Sequence, residues 1–538
     1  MTDISDQDGG KIIQHPAAAD LDAIRKQVAE RTKAEVEKYG ADGGDDGVRI
    51  DGAFVRLCLG MNELGDGLLY KALHQGLFLF NKSMDCWMAW SGHHWEVDRL
   101  DQAKAVTEAV VAKYIDEAKV VSKEIRELAD DKSGKENKLK YLRKELNSRA
   151  SSLRSIRRRN SCLAMSHTCD EPLAIRGDEI DERPWLLACA NGVIDLVTGE
   201  MVDGVPEDYL LKASPVEWAG IDAPCPTWEK AIDEILSGNK KLVQFLQRVL
   251  GLALIGEVRQ SLMVVFAGQG RNGKSMIVEA MSEILGPLAG AIRSEMLLDQ
   301  FRSASSSGPT PDIMALRGLR LAFASETDDG CRISPSRVKW LTGNDKLTGR
   351  NPHDKYEVNF KPTHTLFLLT NHKPHAPADD FAFWERIFLV PFELSFVDRK
   401  PNAENERRAD TDLPAKLRTE LSGILAWLVK GCLYYQREGI NPPPVVKDAT
   451  AEYQRDEDLI ADFLEDCCLI DAGYTSGATA LYQVFETWWQ KNVSKKVPKQ
   501  KRFGTLMKKR FKREKLSGTY RYIGVGIIDQ DHEDDSIP

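Results

Sequence analysis

The chain has 538 residues, 42% of them hydrophobic and 29% charged, with a formal net charge of −9. That length exceeds one ordinary domain and predicts three or four units with real apolar cores. No apolar run reaches spanning length and the N-terminus lacks a basic-then-apolar leader, so no membrane helix is expected and the chain should stay in the cytoplasm or nucleoid of a host cell.

The net charge hides an asymmetry. From Lys491 to Ile523 there are thirteen Lys or Arg against Glu514 alone, a local charge of +12, which leaves −21 for the rest. Ten cysteines are scattered without CxxC pairs, so they read as reduced, mostly buried thiols. His167 and Cys169 lie close together without a second ligand pair, and no metal site is expected there.

In chain order, residues 1–48 read as a tail with one helix-like segment and an acidic Gly-rich end. Residues 49–225 read as an N-terminal α+β domain. Trp87-Met-Ala-Trp90 and Trp95 alternate around Ser91-Gly92 as a hairpin. Two charged helices follow, about 102–129 and 137–159. The second carries Lys138, Lys140, Arg143, Lys144, Arg149, Arg154, Arg157, Arg158 and Arg159, which is either a solvated face or a phosphate-contacting one. Asn191-Gly192 gives a type I′ turn signal. Residues 226–444 read as an α/β core ending in helices and a stiff Asn441-Pro-Pro-Pro444 linker. Residues 445–529 read as helix, helix, basic helix and β-ribbon, and 530–538 as an acidic tail.

Gly268-Gln269-Gly270-Arg271-Asn272-Gly273-Lys274-Ser275 matches the phosphate-binding loop pattern in full, with an apolar strand before it and a helix after it. The glycines let successive N–H groups turn inward toward phosphate oxygens, and the helix N-terminus adds partial positive charge. Lys274 supplies a point charge for the β- and γ-phosphates of ATP. The Ser275 hydroxyl is a ligand for Mg²⁺.

Three downstream residues extend this reading. Arg320-Leu-Ala-Phe-Ala-Ser-Glu326 is a strand ending in an acid, so Glu326 is the candidate for Mg²⁺ or for the attacking water. Thr365-Leu-Phe-Leu-Leu-Thr370 ends in Asn371, which can bond both a γ-phosphate and a water. Arg386, before the strand Ile387–Val390, can reach a neighbouring subunit's nucleotide as an arginine finger. Between them, Lys346, Arg350, His353 and Lys355 belong to a hairpin-like stretch whose cations suit a DNA backbone.

Lys274, Glu326, Leu341-Thr-Gly-Asn-Asp345, Thr370-Asn371 and Arg386 in this order resemble the superfamily 3 helicases, specifically the phage/plasmid primase-helicase family with its poxvirus-type relatives. Upstream, Asn191-Gly-Val-Ile-Asp-Leu196, Pro206-Glu-Asp-Tyr209, Cys225-Pro-Thr-Trp228 and Phe245-Leu-Gln-Arg-Val-Leu-Gly251 are similar to that family's domain before the helicase core. Downstream, Leu481–Trp489, Phe503-Gly504 and Tyr520-Arg521 are similar to its winged-helix domain.

The resemblance implies an AAA+-like P-loop core in an α/β fold, and a hexameric ring with ATP sites between subunits. It implies a 3′ to 5′ motor on single-stranded DNA that unwinds forks. Lys501, Arg502, Lys508 and Lys509 on the basic helix are the further DNA-binding candidates. Glu385 stands where relatives often carry a first arginine before Arg386. Primase activity in this chain is not expected, since only about fifty residues precede the recognisable part; a separate primase or other replication proteins are possible partners. The alternative is an AAA+-like DNA-binding initiator or loader without processive unwinding.

Overall fold

Five short apolar runs, rich in Val, Leu, Ile and Phe, form one parallel sheet. They are Met263–Ala267 (β1), Ala289–Ile292 (β2), Leu321–Ser325 (β3), Thr365–Thr370 (β4) and Ile387–Pro391 (β5), in the spatial order β5-β1-β4-β3-β2. Both faces are covered, as parallel strands require. Alternation along each strand feeds two separate cores. Val264, Phe266, Leu321, Phe367, Leu369 and Val390 enter one, with the helices Pro226–Ile235, Lys240–Leu252, Lys274–Leu285 and Leu421–Glu438. Met263, Val265, Ala322, Ala324, Leu366, Leu368 and Leu389 enter the other. The chain is a mixed α/β protein built around this sheet.

The computed structural model describes residues 50–128, 135–299, 308–325, 331–352, 357–493, 497–516 and 518–528. Two compact units emerge, Met1–Arg183 with Val202–Lys212, and Pro184–Met201 with Ala213–Pro538. This division corrects the boundary expected at 225. The hairpin of Leu186–Cys189 and Gly192–Asp195 buries Leu187, Cys189, Ile194 and Leu196 in the same core as β1, so it belongs to the second unit. Its turn also differs. Cys189 pairs with Gly192, so Ala190-Asn191 form the loop, and neither has the positive φ that type I′ demands. Asn191 turns its amide to the backbone of Trp218 instead, at 3.0 and 2.8 Å.

The proline run is no linker. Pro444 is the first residue of the helix Pro444–Asp456, a position where its missing N–H costs nothing. That helix packs on β5, and Tyr453 sits edge-on to Trp384 at 5.0 Å within the second core. An independent core begins only at Ile460. It joins the helices Leu459–Cys467, Ala478–Asn492 and Gln500–Arg510 to the ribbon Arg513–Leu516/Thr519–Ile523 through Phe463, Phe485, Phe503 and Tyr522.

The first unit sets helices against a sheet of four strands, Trp95–Val97, Cys86–Trp90, Phe78–Asn81 and Ala174–Ile175. Its centre is ionic. Asp66 is fully buried and accepts from Tyr114 Oη at 2.9 Å, Arg149 Nη1 at 2.9 Å and Arg158 Nε at 2.8 Å. Two guanidiniums offset the desolvation of this carboxylate. Arg154 and Arg159 both bind Glu108, at 2.7 and 2.8 Å. Four cations of the basic stretch are therefore bound inside the unit and Lys140 pairs with Glu136 at 2.6 Å, which leaves Lys138, Arg143, Lys144 and Arg157 exposed without a carboxylate partner among the described residues.

Candidate active site

In an open parallel sheet, ligands bind beyond the carboxyl ends of the strands where the connections part in opposite directions. Here β1 connects across to the far edge at β2, while its neighbour β4 connects back over it to β5. The crevice between β1 and β4 is that point, and the loops leaving both strands meet there.

The loop after β1 runs Gly268–Gly273 and opens the helix Lys274–Leu285. Its conformation needs its glycines. Gly273 has φ 87°, and a Cβ there would stand 2.5 Å from Ile235 Cδ1. A Cβ on Gly268 would stand 2.4 Å from the carbonyl oxygen of Phe392. Arg271 takes a left-handed φ of 48°, held by its carbonyl, which accepts from Phe396 N at 2.7 Å.

Lys274 is buried, 6% exposed, and donates to Gly268 O at 2.5 Å and to Asn371 Oδ1 at 3.0 Å. Both acceptors are neutral, and burial pushes the ammonium down to about 8. Asn272 is 3% exposed, and its Nδ2 is buried without a hydrogen-bond partner. A cation and an amide donor so placed suit an anionic ligand, because each is desolvated without an anion of its own.

Beside them opens a cavity of about 1070 Å³, lined by Gly270, Lys274, Ser275 and Asn371, with Phe396 and Ile235 among its apolar wall. That volume suits a nucleotide. Gln269 is exposed and does not line it. Ser275 is exposed to it and can offer its hydroxyl to a cation. Ser325, the last residue of β3, also lines it; Glu326, the next residue and the candidate acid, lies outside the described residues. Arg271, Asn272 and Gly273 complete the lining from the loop.

Arg386 lies elsewhere. Its carbonyl accepts from Met263 N at 2.7 Å, so it stands at the amino end of β1, whereas the loop Gly268–Gly273 leaves the carboxyl end. The four steps of strand between Met263 and Ala267 span about 13 Å. The Arg386 guanidinium donates to Ala382 O, and its Nε is buried without a partner. It does not join Lys274 within one chain.

The expected hairpin is present as Leu347–Gly349 paired antiparallel with Val358–Phe360. Lys346 is exposed at its base. Arg350 is half-buried, its N–H donating to Thr310 Oγ1 at 3.1 Å. His353 and Lys355 lie outside the described residues. On the helix Gln500–Arg510, Phe503 and Met507 face the core while Lys501, Arg502 and Lys508 are exposed. Lys509 is exposed too, but it forms an ion pair with Asp379 at 2.6 Å, and Arg510 pairs with Asp458.

One stretch of the cavity wall carries no sequence motif. Strands Ser395–Val397 and Glu406–Arg408 pair there, and Arg408 lines the opening. These three-residue strands carry no periodic signal, and only their hydrogen bond to Arg271 brings them to the site.

The chain is similar to several known proteins. A family model described as D5 N terminal like matches residues 68–237. A putative helicase of Acanthamoeba polyphaga mimivirus is 28% identical over 336 residues, which is 60% of this chain and 35% of that protein. A putative helicase of Frog virus 3 is 26% identical over 387 residues, 59% of this chain and 40% of that protein. A putative primase of African swine fever virus (isolate Warthog/Namibia/Wart80/1980) is 22% identical, over 43% of this chain and 24% of that protein. The chain thus spans well under half the length of these curated relatives. Among solved structures, the C-terminal region of NrS-1 aligns with 61% of this chain and 88% of its own, at 13% identity and a TM-score of 0.38. Among the described residues no helix is long and apolar enough to cross a membrane.

Proposed function

We propose that this chain, which belongs with the primase-helicases, is an ATP-hydrolysing DNA helicase that works as a ring. The observation that carries the reading is the 3.0 Å contact of Lys274 with Asn371 across the β1/β4 crevice, beside a cavity of nucleotide size. The relatives' names support a part in replication.

The residues divide the work. Backbone N–H groups of Gly270–Gly273 and the Lys274 ammonium hold the β- and γ-phosphates of ATP. Ser275, with Glu326, would hold Mg²⁺, which when bound neutralises charge on the phosphate oxygens. Asn371 orients the attacking water and, through Lys274, registers whether a γ-phosphate is present. Arg386, remote from its own chain's phosphate loop, would stabilise the transition state in the next subunit, which is the reason the reading requires a homo-oligomer, a hexamer by resemblance. The helix–strand–helix–helix–ribbon order of residues 459–523 supports a winged helix with Gln500–Arg510 as its basic helix. Lys346, Arg350, His353 and Lys355 would grip single-stranded DNA during 3′ to 5′ movement.

The test is ATP hydrolysis by the full chain with and without single-stranded DNA, together with displacement of a labelled strand from a fork. The reading expects DNA-stimulated turnover and unwinding, both lost in Lys274→Ala. Stimulated turnover without unwinding would turn the assignment to an initiator or loader. Retained turnover in Lys274→Ala would remove the site.

A further inference from the structure

Among the described residues the charges around the cavity do not cancel. Three described carboxylates line it, and each faces a cation that also lines it. Lys230 stands 3.8 Å from Glu234, Arg271 3.5 Å from Asp398, and Lys416 2.5 Å from Asp410. Two lining cations are left over. One is Lys274. The other is Arg408, which is exposed and has no carboxylate partner among the described residues. Two lining cations without a carboxylate of their own among the described residues favour a ligand carrying several negative charges.

Arg408 is also held in place. Its strand, Glu406–Arg408, pairs with Ser395–Val397, with Arg408 opposite Val397. Phe396 in that partner strand donates its N–H to Arg271 O at 2.7 Å, so the strand pair is pinned to the phosphate-binding loop. The connecting loop closes on Glu406, which accepts from Arg399 and from Asn402 N at 2.9 Å; these bonds hold the carboxyl down at about 2. Arg407 next door points away and spends its guanidinium on the carbonyls of Glu404 and Glu406, both at 2.8 Å. A planar guanidinium on a fixed support suits two-point bonding to phosphate oxygens, which an ammonium cannot reproduce.

We propose that Arg408 is a second polyphosphate-binding cation of the nucleotide site, acting within the same chain from the strand Glu406–Arg408 that lines the same cavity. The inference rests on the nucleotide-site reading above. It adds a residue that lies outside the phosphate-loop motif and distinguishes Arg408 from Arg386.

The experiment is calorimetric titration of the full chain with ADP and with a non-hydrolysable ATP analogue at low and moderate salt, alongside melting without nucleotide. Arg408→Ala should weaken both ligands about ten- to a hundredfold and flatten the salt dependence, with melting unchanged. Arg408→Lys should recover part of the loss, and Arg407→Ala should bind as the wild type does. Wild-type affinity in Arg408→Ala would overturn the inference while leaving the nucleotide site standing. So would equal weakening by Arg407→Ala, or a loss accompanied by lowered melting, since either marks a merely structural strand. A wild-type chain that binds neither ligand would remove the nucleotide site itself, and Arg408 with it.

Discussion

The Nζ of Lys274 lies 3.0 Å from Oδ1 of Asn371, although 97 residues separate them in sequence. The contact joins the two loops that leave adjacent parallel strands. On the proposed reading it would give Asn371 two tasks, holding the lysine before a phosphate arrives and facing the phosphate afterwards. Asn371→Ala should therefore lower turnover about a hundredfold or more while nucleotide affinity changes little. Single-turnover hydrolysis beside ADP titration separates the two. An unchanged rate would show that the amide only occupies an empty site.

Gly273 tests the loop itself. Its left-handed φ of 87° and the 2.5 Å approach to Ile235 leave no room for a methyl group. Gly273→Ala should lose nucleotide-dependent thermal stabilisation, because the loop must open to admit the Cβ. Gly270, also at positive φ but with open space around it, is the milder comparison. If both alanine variants were stabilised by ADP as the wild type is, the loop would not be the cradle.

The separation of Arg386 from Lys274 predicts complementation between chains. Arg386→Ala should keep nucleotide affinity and lose turnover about a thousandfold or more. Mixed with equally inactive Lys274→Ala, it should regain turnover at interfaces that pair an intact Lys274 with an intact Arg386. A mixture as inactive as its components, under conditions where mixed rings demonstrably form, would argue against a shared site.

DNA binding should follow the free cations of the helix Gln500–Arg510 rather than all of them. Replacing Lys501, Arg502 or Lys508 by Ala should each lower the dependence of affinity on salt by about one ion. Lys509→Ala should change it less, because Asp379 already neutralises that ammonium. Asp379→Asn should tighten binding by releasing it. Fluorescence anisotropy of a labelled oligonucleotide across a salt series reads all of these, and equal slopes throughout would place the DNA elsewhere.

His364 gives an acid limb to stability. It is 4% exposed, and burial pushes its pKa down to about 4. The unfolded chain protonates this group near 6.5, so between these values the unfolded state binds more protons. Stability is complete above pH 6.5 and falls as pH drops through this window, by about 2 kcal/mol at pH 5. His364→Leu should lose less between pH 7 and pH 5 than the wild type does, as read from urea midpoints. Parallel losses would assign the limb to other groups.

The sequence made some of this legible and hid the rest for physical reasons. The loop Gly268–Ser275 is readable because so tight a turn demands glycines at fixed offsets. Asn371 is readable because it ends an apolar strand. The hairpin 186–195 was placed in the wrong unit, since which core an apolar hairpin joins depends on contacts distant in sequence. Pro442-Pro-Pro444 signals a helix start as well as a spacer, and only the packing of Tyr453 decides between them. Arg149 and Arg158 read as surface charge because their partner, Asp66, lies more than eighty residues away in sequence. Arg408 had no motif to announce it.

Eight residues lead from Asn371 to Asp379. They are not slack. The carbonyl of Pro374 accepts from Tyr453 Oη, Ala376 N donates to Glu457 at 3.0 Å, and Ala378 O accepts from Gln454 at 2.9 Å. One end touches the lysine of the phosphate loop, and the other is ionically clasped to Lys509 on the basic helix. So short and so thoroughly tied a segment acts as a connecting rod. Under the proposed function, a shift of Asn371 when the phosphate chain shortens would be passed on to the clasp, and a strand of nucleic acid competing for Lys509 would push back along the same rod.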